Sequence, residues 1–138
     1  MADKAIGSLT AGTKPDGTEI MHGVQSSNSR QFTLRQIAEI GLEITTEVTD
    51  YTAVIGDNGK YIKFNSLTDI EFTIDDSIFS AGDEITFEQM NTGTVTVVAG
   101  TGVTINSRGS RVETNGQFSV ASLKFTAADE ATLFGDLV

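Results

Sequence analysis

Apolar and polar residues alternate along most of the chain after residue 50. The alternation is regular in the segments IEFTI at residues 70–74 and EITFE at residues 84–88. A β-strand places successive side chains on opposite faces, so each segment is predicted to be a strand with one buried face. About eight or nine such strands follow one another, which is typical of a sandwich or barrel. We therefore expect a mainly β protein with an antiparallel, jelly-roll-like β-sandwich over residues 50–138, with other sandwiches and a partial barrel as alternatives.

The phase of the alternation changes near residue 120. Phe118 and Val120 define one phase, whereas Ala121, Leu123 and Phe125 define the opposite phase. An extra residue in one strand of a pair shifts the phase in this way. The sequence therefore predicts a β-bulge near residue 120 and assigns the phenylalanines of this region to the core.

The first 45 residues have a different pattern, with short strand or arm segments followed by one helical signal. The sequence TLRQ at residues 33–36 fits a capping box, which marks the start of a helix. Leu34, Ile37 and Ala38 then share one apolar helix face. These features predict a helix of about two turns over residues 34–40, which is too short to be stable without docking on something else.

Composition and charge exclude several classes of partner. The chain of 138 residues has 9 basic and 19 acidic residues, a formal net charge of −10, and no cysteine. So acidic a chain has no general attraction for nucleic acid or for an anionic membrane surface. It also lacks an apolar run long enough for a membrane span and a recognisable secretion signal. We expect a protein that is made in a cytoplasm, as one domain with a short appendage.

The pair Gly100-x-Gly102 follows a β-branched run and invites comparison with a phosphate-binding loop. Such a loop requires a helix after the glycines, because the helix N-terminus supplies the amides that hold phosphate. The residues that follow, VTI at 103–105, instead have strand character. We therefore interpret the glycines as the tight turn of a β-hairpin.

Candidate catalytic residues are few. His22 is the only histidine, and no Gly-x-Ser-x-Gly motif accompanies it, so a surface or packing role is more typical than a catalytic triad. The acidic pairs Asp75-Asp76 and Asp83-Glu84 could serve a glycosidase or bind Ca²⁺. Both pairs stand at predicted strand ends beside serine or glycine, where carboxylates commonly stabilise turns.

Arg108 and Arg111 form the only basic cluster in the acidic C-terminal half of the chain. Two arginines so close in sequence could bind an acidic partner surface. The interpretation that we favour is a solvated hairpin tip, since charged residues are common at such tips.

Taken in order, the short motifs resemble modules of tailed-bacteriophage virion proteins. The N-terminal part carries IGSL from residue 6, GTEI from residue 17, VQ from residue 24 and FTLRQI from residue 32. The remainder carries YT from residue 51, DNGK from 57, FSAGDEI from 79, GTGVTIN from 100, GQF from 116 and LFGDL from 133. Ser80 and Ala131 depart from the modules, which often have proline and tryptophan at or near these positions.

The resemblance implies a structural protein without catalytic residues, cofactor or metal. Residues 1–45 would be an attachment segment, and residues 50–138 a β module that commonly assembles as a homotrimer. The partner would be the major capsid protein, and the location the capsid exterior, where the protein acts as a head decoration (cement) protein or short head fibre. The apolar residues expected to make the virion contact are Ile6, Leu9, Ile20, Val24, Phe32, Leu34 and Ile37.

Two other functions are weighed against this one. The first alternative is a tail-fibre or baseplate module that binds host surface carbohydrate, which would display aromatic residues at loop tips. The second is a polysaccharide-degrading enzyme, which would need a pair of carboxylates in a groove. We prefer the structural role, because the acids of this chain stand at predicted turns and a receptor-binding fibre is usually longer.

Overall fold

The computed structural model describes residues 20–25, 28–33 and 43–138, and the chain divides into two units, residues 1–40 and 41–138. The first unit contains strands β1 (Ile20–Gln25) and β2 (Asn28–Thr33), which pair antiparallel from Ile20 opposite Thr33 to Gln25 opposite Asn28. The predicted helix at residues 34–40 lies outside the described residues.

Residues 43–138 form nine strands in two sheets. The strands are β3 (Ile44–Glu47), β4 (Tyr51–Thr52), β5 (Tyr61–Phe64), β6 (Ile70–Ile74), β7 (Glu84–Gln89), β8 (Val95–Ala99), β9 (Thr104–Ser107), β10 (Val120–Ala127) and β11 (Glu130–Gly135). One sheet has six strands in the order β3-β5-β7-β10-β11-β9, and the other has three in the order β4-β6-β8. Single turns of 3₁₀-helix lie at Ile55–Asp57 and Arg108–Ser110.

From β3 to β9 the chain crosses from one sheet to the other after every strand. One coil carries it from Ile44 to its neighbour Tyr61, and the next from Tyr61 to its neighbour Thr86. Strands that follow each other within a sheet, β3-β5-β7 and β4-β6-β8, are consequently parallel. The result is a β-solenoid-like arrangement with mixed sheets.

The expectation of a mainly β protein is confirmed, but the expectation of an antiparallel, jelly-roll-like sandwich is wrong. Alternation of apolar and polar residues reports which face of a strand is buried. It does not report the direction of the neighbouring strand, because parallel and antiparallel strands both alternate when one face is covered. The structure also adds β3, a strand at residues 44–47 that the sequence pattern did not predict.

A β-hairpin that follows β9 in the chain separates β9 from β7 in the six-stranded sheet. Strands β10 and β11 pair antiparallel with each other and insert between β7 and β9, so β10 contacts β7 and β11 contacts β9. The bulge of this hairpin lies between Phe125 and Ala127, not near residue 120. Val120 to Lys124 pair with β7 without a break, and the phase change at residue 120 arises because Phe118 lies outside the strand and is exposed.

The core is the layer of apolar side chains between the two sheets. Phe72 from the three-stranded sheet lies 5.2 Å from Phe64 and 5.3 Å from Phe87 of the six-stranded sheet, measured between ring centroids. Aromatic pairs at these separations add to the free energy of burial, which is about 1.5–3 kcal/mol for one large apolar side chain. The other buried apolar residues are Ala53, Ile62, Ile70, Ile74, Phe79, Ile85, Val95, Val97, Ala121, Leu123, Phe125, Ala131 and Leu133.

The turn at Gly100 and Gly102 joins two strands of different sheets, so the predicted hairpin is wrong although the predicted turn is present. Gly102 has a φ of +90°, which glycine adopts without strain. A Cβ atom at Gly100 would lie 2.9 Å from the carbonyl oxygen of Ile74, and there is no room for it. Strand β9 follows this turn, so the glycines serve a corner of the solenoid.

Both tyrosines donate hydrogen bonds to carboxylates. The Tyr51 hydroxyl donates to Asp57 Oδ2 at 2.8 Å, and the Tyr61 hydroxyl donates to Glu88 Oε2 at 2.9 Å. Burial and the hydrogen bond to Glu88 raise the pKa of Tyr61 to about 12, and burial together with Asp57 raises the pKa of Tyr51 further. Each pair holds its phenol in the protonated, donating form.

We predict that neither tyrosine of the folded protein ionises near pH 10, where a free tyrosine does. Because the folded pKa values lie above the unfolded ones, the stabilisation is complete below about pH 10 and is lost as pH rises toward 12. Ultraviolet titration of tyrosinate, with urea-unfolded protein as the reference, measures this. A normal transition of even one tyrosine in the folded protein would contradict the assigned hydrogen bonds.

Candidate functional site

Three of the seven residues predicted for virion attachment lie in the described strands of the first unit. In the backbone register, Ile20 stands opposite Thr33, Val24 opposite Ser29, and Phe32 opposite Met21. The other four, Ile6, Leu9, Leu34 and Ile37, lie outside the described residues. The attachment role of this group stays a prediction.

Three of the candidate catalytic residues, His22, Asp83 and Glu84, have local partners of other kinds among the described residues. His22 stands opposite Gln31 in the first unit. Asp83 accepts hydrogen bonds from the Ser80 amide at 2.8 Å and from Asn58 Nδ2 at 2.7 Å, as a carboxylate that organises a turn does. Glu84 contacts Lys124 at 3.3 Å. Across the described part of the chain, no three His, Asp or Glu side chains converge as metal ligands.

A pocket of about 220 Å³ lies where strand β9 ends. Its lining combines two arginines with apolar groups from β11 and the C-terminal residues, namely Arg108, Arg111, Leu133, Phe134, Gly135 and Leu137. We call this the arginine pocket. It contains the basic cluster that the sequence singled out, which makes it the candidate site of this domain.

The path of the chain at the arginine pocket differs from the predicted hairpin tip. Strands β9 and β10 are separated in the sheet by β11, so the residues between them cannot form a hairpin. After the turn at Arg108–Ser110 the chain instead runs along the edge of β8, where the Val97 amide donates to the Val112 carbonyl at 2.8 Å. The amide of Val138 then donates to the carbonyl of Glu113 at 2.9 Å and fixes the C-terminus beside the pocket.

A buried polar network holds this edge segment against the core. Thr114, which is 2% exposed, donates a short hydrogen bond from Oγ1 to Gln89 Oε1 and accepts one from the Val95 amide at 2.9 Å. Gln89 also donates from Nε2 to the Asn91 carbonyl at 2.8 Å. A buried polar group lowers the stability of the fold unless it has a hydrogen-bond partner. Because these groups are paired with one another, the network fixes the chain that follows Arg111.

The two arginines of the pocket, like Lys63, have no ion-pair partner among residues 43–138, whereas Lys60 and Lys124 do. Arg111 Nη1 donates to the Leu137 carbonyl at 3.4 Å. In a chain with a net charge of −10, the pocket therefore brings together two guanidinium groups, which are groups that bind carboxylates.

Three exposed apolar residues lie at or beside the hairpin, and we define them as the apolar patch: Phe118, which precedes β10, Val120 in β10 and Phe134 in β11. These side chains are 63%, 38% and 51% exposed, whereas the other five phenylalanines of residues 43–138 are buried. Phe134 belongs both to this patch and to the arginine pocket. Exposed large apolar side chains grouped in one region are typical of interaction sites.

Phe118 is held in a strained backbone conformation, with a φ of +69°. Positive φ is rare for a bulky residue and costs about 1–2 kcal/mol. The conformation is maintained because the Phe118 amide donates to the Gln89 carbonyl at 2.6 Å, and Gln117 Nε2 donates to the Met90 carbonyl at 3.1 Å. The prediction that Phe118 belongs to the core is wrong, and the phase change at residue 120 was the sequence signal of its exposure.

Comparison with known proteins gives no identification: no protein-family model, no curated protein and no solved structure matches the chain. No helix in the described residues has the length and apolarity to cross a membrane.

We predict that Thr114→Val lowers the free energy of unfolding by about 1–3 kcal/mol, because Gln89 and the Val95 amide lose their buried partner. Thr132→Val on the exposed face of β11 is the matched control and should change it by less than about 0.5 kcal/mol. Urea unfolding of both variants measures the difference. Equal effects would show that the network contributes nothing specific.

We predict that Phe118→Gly leaves the free energy of unfolding within about 1 kcal/mol of the parent value, because relief of the positive φ offsets the added chain entropy. A buried phenylalanine loses about 3–5 kcal/mol on truncation, so Phe125→Ala is the contrasting variant. Thermal or urea unfolding compares them. A large loss for Phe118→Gly would mean that the side chain has a packing role.

Proposed function

We propose that this protein is a structural protein of a tailed-phage virion that decorates the capsid exterior as a cement or head-fibre protein. Residues 1–45 serve as the attachment segment, and the β domain associates with further copies, as a homotrimer. The major capsid protein is its partner, and the function consists of protein–protein contacts with no catalytic step, cofactor or metal. The ordered motifs of the sequence support the virion context.

The observation that carries the proposal is the exposed apolar patch of the β domain. A domain that buries five phenylalanines nevertheless displays Phe118 and Phe134, the first of them against the backbone preference of the residue. Strained or exposed apolar residues persist when a function depends on them. Burial against a protein surface would recover about 1.5–3 kcal/mol for each ring.

The proposed mechanism is multivalent binding to a repetitive shell. Each copy contributes the attachment segment and the apolar patch, and linked copies bind neighbouring shell sites as one body. Linkage raises the overall affinity without stronger individual contacts. Contacts that bridge neighbouring capsid subunits would then resist the outward pressure of packaged DNA.

We predict that Phe118→Ser combined with Phe134→Ser weakens binding to capsids that lack this protein by roughly tenfold or more, since the two rings lose their burial. Co-sedimentation with such capsids measures the affinity. Leu67→Ser is the control, because Leu67 is 76% exposed and belongs to the β5–β6 connection, not to the hairpin or the residues before it. Deletion of residues 1–40, at the boundary between the two units, should abolish binding while residues 41–138 stay folded.

Full binding by the protein that lacks residues 1–40 would contradict the attachment role of the N-terminal segment. Equal loss of binding for Leu67→Ser would contradict the role of the patch. Immunogold labelling of intact virions tests the location directly, because a decoration protein labels the shell and a fibre or baseplate protein labels the tail.

The second candidate is a tail module that binds host surface carbohydrate, and the exposure of Phe118 favours it. Phe118 lies just before β10, outside any strand, and an exposed ring can stack on a sugar. Binding of the isolated protein to host surface glycans, lost in Phe118→Ser and unchanged in Leu67→Ser, would establish this function. Immunogold label on the tail, together with an absence of capsid binding, would agree with this second function.

A further inference from the structure

Two strands of the six-stranded sheet, β3 and β9, have an edge that is unpaired among the described residues. On the β5 side of β3, the carbonyls of Glu43 and Glu47 accept hydrogen bonds from the amides of Tyr61 at 3.0 Å and Asn65 at 2.8 Å. Backbone groups alternate in direction along a strand. The amide and carbonyl groups of Ile44 and Thr46 therefore point to the free edge.

The other edge has the same character. The Thr104 amide donates to the Asp129 carbonyl at 2.8 Å, next to the β11 pairing. By the same alternation, the backbone groups of Ile105 and Ser107 face outward. An edge with unpaired amides and carbonyls is a template for a further strand, so the sheet can grow at both ends. In the three-stranded sheet, by contrast, the edge of β8 is covered, since Thr96 pairs with Glu113.

The directions of the two edge strands decide how copies can pair. Strands β3, β5 and β7 are mutually parallel, β10 runs against β7, and β11 runs against β10 and parallel to β9. The two reversals cancel, so β3 and β9 point the same way. Pairing β9 of one copy with β3 of another is then a parallel, head-to-tail contact, which generates a ring when the rotation closes. A two-fold dimer would instead pair β3 with β3 or β9 with β9.

Charge and apolar surface match across these two edges. Arg108 directly follows β9, and Arg111 lies beside it in the arginine pocket. Glu47 is the last residue of β3, so parallel pairing brings it to the same end of the sheet as Arg108. Val48, the next residue, is 59% exposed, and the pocket offers the partly buried Leu137 as an apolar neighbour.

We propose that copies of this chain assemble head to tail, with β9 of one copy pairing in parallel with β3 of the next. Glu47 of the second copy enters the arginine pocket and pairs with Arg108 and Arg111, and Val48 packs on Leu137. The inference rests on the self-association included in the proposed function, and it adds the two surfaces and their polarity. Such a contact produces the proposed homotrimer when the rotation between copies closes after three, and a filament when it does not close.

Charge reversal in the full-length protein tests the proposal, with the mass in solution read by light scattering after size exclusion. The parent protein should have the mass of a closed ring. Glu47→Arg alone, and Arg108→Glu with Arg111→Glu, should each weaken association at least about tenfold, because like charges then face each other. The variant that carries all three reversals should regain the parent mass, because the opposite charges face each other again.

Thr46→Pro provides a test that does not depend on charge. It removes an outward amide of β3 while the bonds to β5 from Glu43 and Glu47 remain, and proline is tolerated at such edge positions. We expect this variant to be folded by circular dichroism and monomeric. Thr132→Val, on the exposed face of β11, is the control that should keep the parent mass.

Each outcome separates this proposal from the proposed function. A monomeric parent protein overturns self-association and the head-to-tail contact together, but leaves capsid binding to be judged by co-sedimentation. A parent assembly whose mass survives both reversals and Thr46→Pro overturns the head-to-tail contact alone. Dissociation by Glu47→Arg but not by the arginine reversals also overturns it, because that result indicates a contact of β3 with β3.

Discussion

Burial of the apolar layer between the two sheets is the interaction on which the rest of the β domain depends. Phe72 lies against both Phe64 and Phe87, so one ring of the three-stranded sheet joins two neighbouring strands of the six-stranded sheet. Each strand contributes its inward side chains to this layer and none can bury them alone. The crossing of the chain after every strand follows from this requirement, since each coil adds one strand to each side of the layer.

The β10–β11 hairpin breaks the regularity of the solenoid and thereby creates its distinctive surface. Without the hairpin, β9 would lie next to β7, as β7 lies next to β5. Its insertion separates β9 from β7, and the chain after Arg111 runs along β8. The buried pair of Gln89 and Thr114 fixes this segment. The arginine pocket is thus a consequence of topology, because it forms where two separate parts of the chain, residues 108–111 and 133–137, meet.

Several residues around the hairpin do not stabilise the isolated domain, in contrast to the residues of the core. Phe118 is strained and exposed, Phe134 is exposed, and two arginines lie without carboxylate partners in the described part of an acidic chain. Each of these features would be improved by contact with another protein surface, through apolar burial or charge pairing. The structural role proposed for this protein uses them in that way, and the edges of β3 and β9 provide the complementary surface on a second copy.

The sequence by itself determined the mainly β class, the inward faces of strands such as β6 and β7, and the turns at glycines. It could do so because these properties depend on residues close in the chain: alternation sets the buried face, and φ limits which residue fits a turn. Strand direction, the neighbours of β9 and the exposure of Phe118 were decided only by the tertiary structure. They depend on which distant segments pack together, and alternation is the same for parallel and antiparallel neighbours. For the same reason Arg108 and Arg111 could be recognised as a basic cluster from the sequence, whereas the pocket formed with Leu133, Phe134 and Leu137 could not.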